Sequence, residues 1–172
     1  MDKYNFYKSL YDRELNRRND LDASINLPLT IIGILITTNA YLAKNLFPLE
    51  SICKMNYRHI LMTITFLVII FSVFYLTKSY NNFFKGFRYR NIGNYLELRK
   101  HELNVSEYNV KTADVKKNID FDNQVLEKII SIAENHCAYN DKRSYDLYIA
   151  KTSIFFIIIF TIINYIFIGA IK

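Results

Sequence analysis

An all-α integral membrane protein is the fold class this sequence predicts, with three transmembrane helices, an N-terminal cytoplasmic amphipathic helix, and a cytoplasmic helical hairpin between spans two and three. Two observations predict it. Residues 23–43, 60–77 and 152–171 contain no Asp, Glu, Lys or Arg, although the chain holds 22 basic and 16 acidic residues in 172. At about 1.5 Å per residue, runs of roughly 20 residues reach across the ~30 Å hydrocarbon layer of a bilayer. In addition, the last of these runs consists mainly of Ile and Phe, each favouring insertion by about 0.3 to 0.6 kcal/mol. A buried β-strand would need turn residues every few positions, and only Gly169 near the end offers one.

Residues 1–22 form the amphipathic helix. Tyr4, Tyr7, Tyr11, Leu15, Leu21 and Ile25 recur at near-helical spacing, with Asp12, Arg13, Glu14, Arg17, Arg18 and Asp20 as the charged remainder. The opening has no apolar core of signal-peptide type, so span one is expected to act as its own insertion signal.

Residues 23–77 form a two-span membrane hairpin. The first window carries Asn26, Pro28 and Asn39. Proline loses least at the first turn of a helix, so Pro28, with Asn26 as cap, marks a joint between an aqueous helix and span one. The second window is apolar apart from hydroxyls able to bond back to their own helix.

Residues 78–151 form the cytoplasmic hairpin. Tyr80, Phe83, Phe84, Phe87, Tyr95 and Leu98 continue a stripe beyond span two, so that helix is expected to run on, bending at Gly86 and Gly93. Residues 104–120 are polar without a sustained period and read as a loop. A helix then starts near Phe121, with Val125, Ile129, Ala133, His136, Asn140, Ser144 and Leu147 on one face, and enters span three, residues 152–172.

Lys and Arg outside the spans number 5, 3, 13 and 1 in chain order. The positive-inside rule therefore places the N-terminus and the central segment in the cytoplasm and the C-terminus outside. Cys53 would face outside and Cys137 inside, so the two could not pair within one chain. The +6 net charge finds its partner in the anionic inner leaflet of the lipid bilayer, and nucleic acid is not expected.

Asn39 and Asn164 fall in the outer halves of spans one and three, and Thr63 and Thr65 of span two lie at the same depth. They form either an interhelical hydrogen-bonded layer or a polar constriction lining a pore in an oligomer. His101 and Glu102 lack the second histidine of a zinc-protease motif, Val105 standing in its place. His136 beside Cys137 has no ligand-type neighbour. No catalytic, metal or cofactor residues are expected, and the chain is not expected to be an enzyme.

The stretch YKSLYDRELNRRNDLDASINLPLTIIGIL, with Glu14, Arg17, Arg18 and Leu21 ahead of a proline-entered span, resembles bacterial membrane effectors of antiphage defence of the SLATT kind. NHCAYNDKRSYDLYIAKTSIF, with Asn135, Asn140 and Arg143 before the last span, is similar to the same broad set. The usual description of those proteins has two spans, and this chain has a third. The resemblance implies a homo-oligomeric, multi-pass effector of the bacterial inner membrane. On an infection-derived signal, a cyclic nucleotide or a cytoplasmic protein, it would assemble or open and disrupt the membrane. Arg17, Arg88, Arg90, Tyr95, Asn135, Asn140 and Arg143 are the residues expected to form the signal-receiving surface. The alternatives are a non-catalytic membrane anchor or scaffold for a cytoplasmic partner, and a phage holin.

Overall fold

The structure, a computed structural model, describes residues 3–46, 57–112 and 117–169. Among them are helices α1 (Lys3–Ala23), α2 (Asn26–Leu46), α3 (Tyr57–Asn81), α4 (Tyr95–Lys111) and α5 (Phe121–Gly169), and no strand. The chain divides into two compact units, Met1–Arg18 with Arg88–Asn140, and Asn19–Phe87 with Asp141–Lys172. Both boundaries that flank Asn19 and Asp141 fall inside helices, α1 and α5, rather than in linkers.

The second unit contains the apolar helices. Three helical stretches, Lys3–Lys44, Tyr57–Asn81 and Phe121–Phe167, are long and apolar enough to cross a membrane. The first is jointed where α1 gives way to α2, at a turn over Ser24 and Ile25, with Ser24 N–H donating to the Asp20 carbonyl at 2.9 Å. Asn26 is already the first residue of α2, one residue earlier than a cap at that position would place the start. Pro28 sits in that first turn, where the missing N–H costs little.

Buried positions in this unit follow a spacing of three and four. They are Ile25, Pro28, Ile32, Leu35, Asn39 and Leu42 around α2, and Met62, Thr65, Ile69, Ser72, Leu76 and Ser79 on α3. On α5 they are Arg143, Leu147, Ala150, Ile154, Ile157, Thr161 and Asn164. This is the repeat that brings one seam of each helix onto its neighbours. α2 packs on α3, and the α3 seam carries a hydroxyl once per heptad, at Thr65, Ser72 and Ser79. The hydroxyls let helices approach closely and bond across the gap: Ser72 donates to the Ala150 carbonyl at 3.1 Å, and Ser79 to the Arg143 carbonyl at 2.9 Å.

The outward faces are the reverse. Ile34, Leu67, Ile70, Phe155 and Ile162 are each more than half exposed, while Asn39, Thr65, Asn164 and Arg143 are at 1% or less. A soluble bundle hides apolar residues and rarely buries unpaired polar ones. Polar residues inside and a continuous apolar belt outside is the distribution suited to lipid.

α3 does not run on as a helix. It ends at Asn81, and Asn82, Phe83, Phe84 and Gly86 take positive φ values of 44°, 55°, 68° and 70°. Residues 86–94 are irregular, and Gly93 has φ of 110°. The two glycines thus belong to a helix break and an extended segment. The break is closed by local bonds, with Gly86 N–H donating to the Asn81 carbonyl at 3.1 Å, and further along, α5 side chains take the backbone groups of Arg90, as described below.

The first unit holds α4, the N-terminal part of α5 and most of α1. Residues 104–111, expected as loop, continue α4. Asn94 caps that helix, its side chain accepting from Leu96 N–H at 3.2 Å. At the other end Asn109 grips Ile119 twice, donating to its carbonyl and accepting from its N–H, each at 2.8 Å. These tertiary bonds close the connection that local composition left undefined. α5 begins at Phe121, as the spacing predicts, and Val105, Ile129 and Ile132 are its unit's buried apolar residues.

Candidate functional site

In the membrane-type unit the polar layer is real but differently composed. Asn39 Nδ2 donates to Thr161 Oγ1 at 2.8 Å and to the Leu35 carbonyl at 2.8 Å. Asn164 Nδ2 donates to Thr65 Oγ1 at 2.9 Å. The layer therefore joins α2 to α5 and α5 to α3. Thr63 is outside it: exposed on α3, it returns its hydroxyl to the His59 carbonyl at 2.8 Å. It lies two residues from Thr65, on another face of the helix. Thr161 takes its place, and its spacing of three from Asn164 was the available signal. Asn39 Oδ1 is buried with no hydrogen-bond partner among the described residues.

A second polar floor lies at the other end of this bundle. Arg143 Nε donates to the Ser79 carbonyl at 2.9 Å, its Nη2 pairs with Asp22, and Phe87 lies 5.2 Å beneath the guanidinium. Lys78 Nζ reaches Asp146 Oδ1 at 2.7 Å. Arg143 is 1% exposed, so it is no part of a signal-receiving surface; it ties the ends of α1 and α3 to the middle of α5. α5 rises roughly 27 Å between Arg143 and Thr161, close to the hydrocarbon thickness of a bilayer.

In the other unit a buried network connects α1, the extended segment and α5. Asn140 Nδ2 donates to the Glu14 carbonyl at 2.8 Å and to Glu14 Oε2 at 3.1 Å, and its Oδ1 accepts from the Tyr89 hydroxyl at 2.9 Å. Asn140 is fully buried and so cannot receive an external signal either. Glu14, counted in the charged remainder of the first helix, is 3% exposed. Arg13 and Arg17 stand 3.3 and 3.5 Å from its carboxylate. Its spacing from Tyr7, Tyr11 and Arg18 is helical and could have placed it inward.

Tyr89 is the hub. The Arg18 guanidinium lies 4.4 Å above its ring, and the rings of His136 and Tyr139 stand at 4.8 and 5.4 Å. Beside it, the backbone of Arg90 is held by two α5 side chains: its N–H donates to Asn135 Oδ1 at 3.1 Å, and its carbonyl lies 2.8 Å from His136 Nε2. A carbonyl only accepts, so Nε2 carries the proton. Nδ1 is buried without a partner among the described residues. The Arg90 side chain reaches Ser131 at 3.4 Å.

Of the proposed receiving residues in this unit, Arg17, Arg90, Asn135 and Asn140 are brought into one connected cluster. Arg88 is exposed, and Tyr95, 89% exposed, opens α4 away from these contacts. Sequence reasoning did not single out a cleft of about 230 Å³ between α4 and α5. Leu98, Phe121 and Val125 give it an apolar floor, and Asn94, Gln124 and Lys128 a polar rim. His101 borders it, 3.1 Å from Gln124 Oε1 and with its ring tilted against that of Phe121 at 5.9 Å.

Comparison with known proteins finds no family model, no curated protein and no solved structure that matches this chain. The reading of function therefore rests on the residues and their geometry.

Proposed function

We propose that this chain is a signal-gated membrane effector: a three-span protein of the bacterial inner membrane, N-terminus cytoplasmic and C-terminus outside, that self-associates or opens and breaches the permeability barrier. The observation that carries the reading is the buried polar layer of Asn39, Thr65, Thr161 and Asn164 inside a bundle with an apolar exterior. Interhelical bonds of this kind are worth about 0.6 kcal/mol each, because polar groups in lipid find other partners readily. The layer can thus exchange its internal bonds for water or for another copy at small cost. The trigger would act on the cytoplasmic unit, where the cleft between α4 and α5 can take a small molecule with an apolar body and polar edges. Expression with the trigger should depolarise the inner membrane, and the purified chain should release dye from liposomes. A monomer that leaves both unchanged overturns the proposal.

A second reading, a membrane anchor for a cytoplasmic partner, is favoured by the fact that Asn39 and Asn164 find partners within a single chain. There, replacing exposed residues of the cytoplasmic unit should abolish recovery of the partner while membrane potential stays the same.

A further inference from the structure

The antiparallel register of α4 and α5 opposes two charges that do not meet. His101 stands 3.1 Å from Gln124 Oε1, and the chain turns back beyond them, where Asn109 holds Ile119. One helical turn further from that bend, four residues back along α4 and four on along α5, come Glu97 and Lys128. Both line the cleft of about 230 Å³. Neither makes a hydrogen bond or an ion pair with any described residue.

Glu97 has a local use open to it and does not take it. Asn94 caps α4 and Glu97 stands three residues on, the spacing at which a glutamate returns to the N–H of the capping residue. No such bond is made, and the carboxylate is left to the cleft. Exposed charges lose little by staying unpaired, so the pair alone marks no site; what lies between the two does. Leu98, Phe121 and Val125 form an apolar floor there, and Gly93 leaves the wall open, since even a Cβ at that position would meet nothing within 4 Å.

Size and charge together narrow what fits. Pockets for drug-sized ligands measure roughly 300 Å³ or more, so the occupant is a smaller metabolite. A nucleotide would bring its phosphate to one lysine beside a carboxylate, with no arginine fork among the lining residues to hold it. A lone anion leaves Glu97 opposed, and a lone cation leaves Lys128 opposed. A zwitterion satisfies both: its ammonium donates to the Glu97 carboxylate, its carboxylate accepts from Lys128 Nζ, and an apolar ring lies on the floor.

We propose that the cleft between α4 and α5 binds a free amino acid with a ring side chain. This deepens the trigger site named in the proposed function and rests on that reading, but binding is measured without reference to barrier activity. L-tryptophan, L-tyrosine and L-phenylalanine are titrated calorimetrically into the full chain in detergent. The tightest of them is then compared with its amide, its N-acetyl derivative and L-alanine, which lack the carboxylate, the ammonium and the ring. The parent amino acid should bind about ten-fold more tightly than each. Glu97→Gln should erase its advantage over the N-acetyl derivative, and Lys128→Gln its advantage over the amide. Helical circular dichroism should stay the same in both variants, because neither side chain has a partner to lose. Equal affinity for the amino acid, its amide and its N-acetyl derivative would show an apolar pocket and overturn the proposal. Tightest binding by the N-acetyl derivative would show an anion site and overturn it as well. So would a failure of all three amino acids to bind the folded chain. Binding in the expected pattern that leaves dye release from liposomes unaltered would keep the site and remove the cleft as the trigger's receptor.

Discussion

The two units bury polar groups for opposite reasons. In the bundle unit, apolar residues such as Leu67, Ile70 and Phe155 face outward, and polar groups turn inward beside the apolar core of Ile32, Ile69 and Ile157. Its buried hydroxyls and amides are evenly spaced along the seam, and most make one bond to a neighbouring helix. In the other unit the exposed faces mix charged and apolar residues, and the buried polar groups are concentrated around a single carboxylate, Glu14, with Asn140, Tyr89, Arg17 and Arg18 arranged about it. The difference teaches that burial of a polar residue has no fixed meaning. Where lipid is the surrounding medium it provides adhesion at low cost; where water is, it requires a complete set of partners.

The comparison can be broken most severely at the charged floor of the bundle. Asp22→Ala removes the carboxylate that pairs with the buried Arg143 guanidinium, and because Asp22 itself is half exposed the cost should be up to about 3 kcal/mol. The detergent-solubilised variant should lose that much stability in a denaturant titration followed by circular dichroism. An unchanged midpoint would mean that Arg143 is solvated and the floor open. Next, Asn140→Leu removes the bonds that Asn140 makes to Glu14 and accepts from the Tyr89 hydroxyl. A loss of about 2 kcal/mol is expected, seen as faster amide exchange at residues 10–18 and 88–92 than in the parent chain.

Smaller effects sharpen the contrast. Gly93 has φ of 110° with open space around it, so Gly93→Ala should cost about 1 kcal/mol through backbone strain alone. Thermal melting should show no recovery when neighbouring side chains are trimmed. Smallest of all, Asn164→Leu removes the bond to Thr65 and should change stability by about 0.6 kcal/mol. A loss as large as that of Asn140→Leu would show that the two media do not differ in the way described.

The residues divide in what their sequence made legible. The three apolar runs and the start of α5 at Phe121 were readable, as were the inward positions of Asn39, Thr65, His136 and Asn164. The continuation of α3 past Asn81 was misread because the aromatic stripe there is helical in spacing, while the backbone turns through positive φ at 82–84 and then bonds at Arg90 to Asn135 and His136, more than 40 residues away. α4 was cut short because its outward Leu96, Leu103 and Val110 blur the period on which the reading depended. Glu14 was grouped with the charged remainder of α1, because its partner Asn140 lies 126 residues along the chain.

What this sequence settled unaided is that three of its helices suit a membrane and that strands have no place among the described residues. Transfer to lipid is a sum over some twenty residues and depends little on which neighbours they meet. Only the tertiary structure chose which polar side chains pair, where α3 stops, and that Arg143 and Asn140 serve as internal ties. Those choices are made by single hydrogen bonds between distant parts of the chain, and no local repeat encodes a bond whose two ends are separated by so much of it.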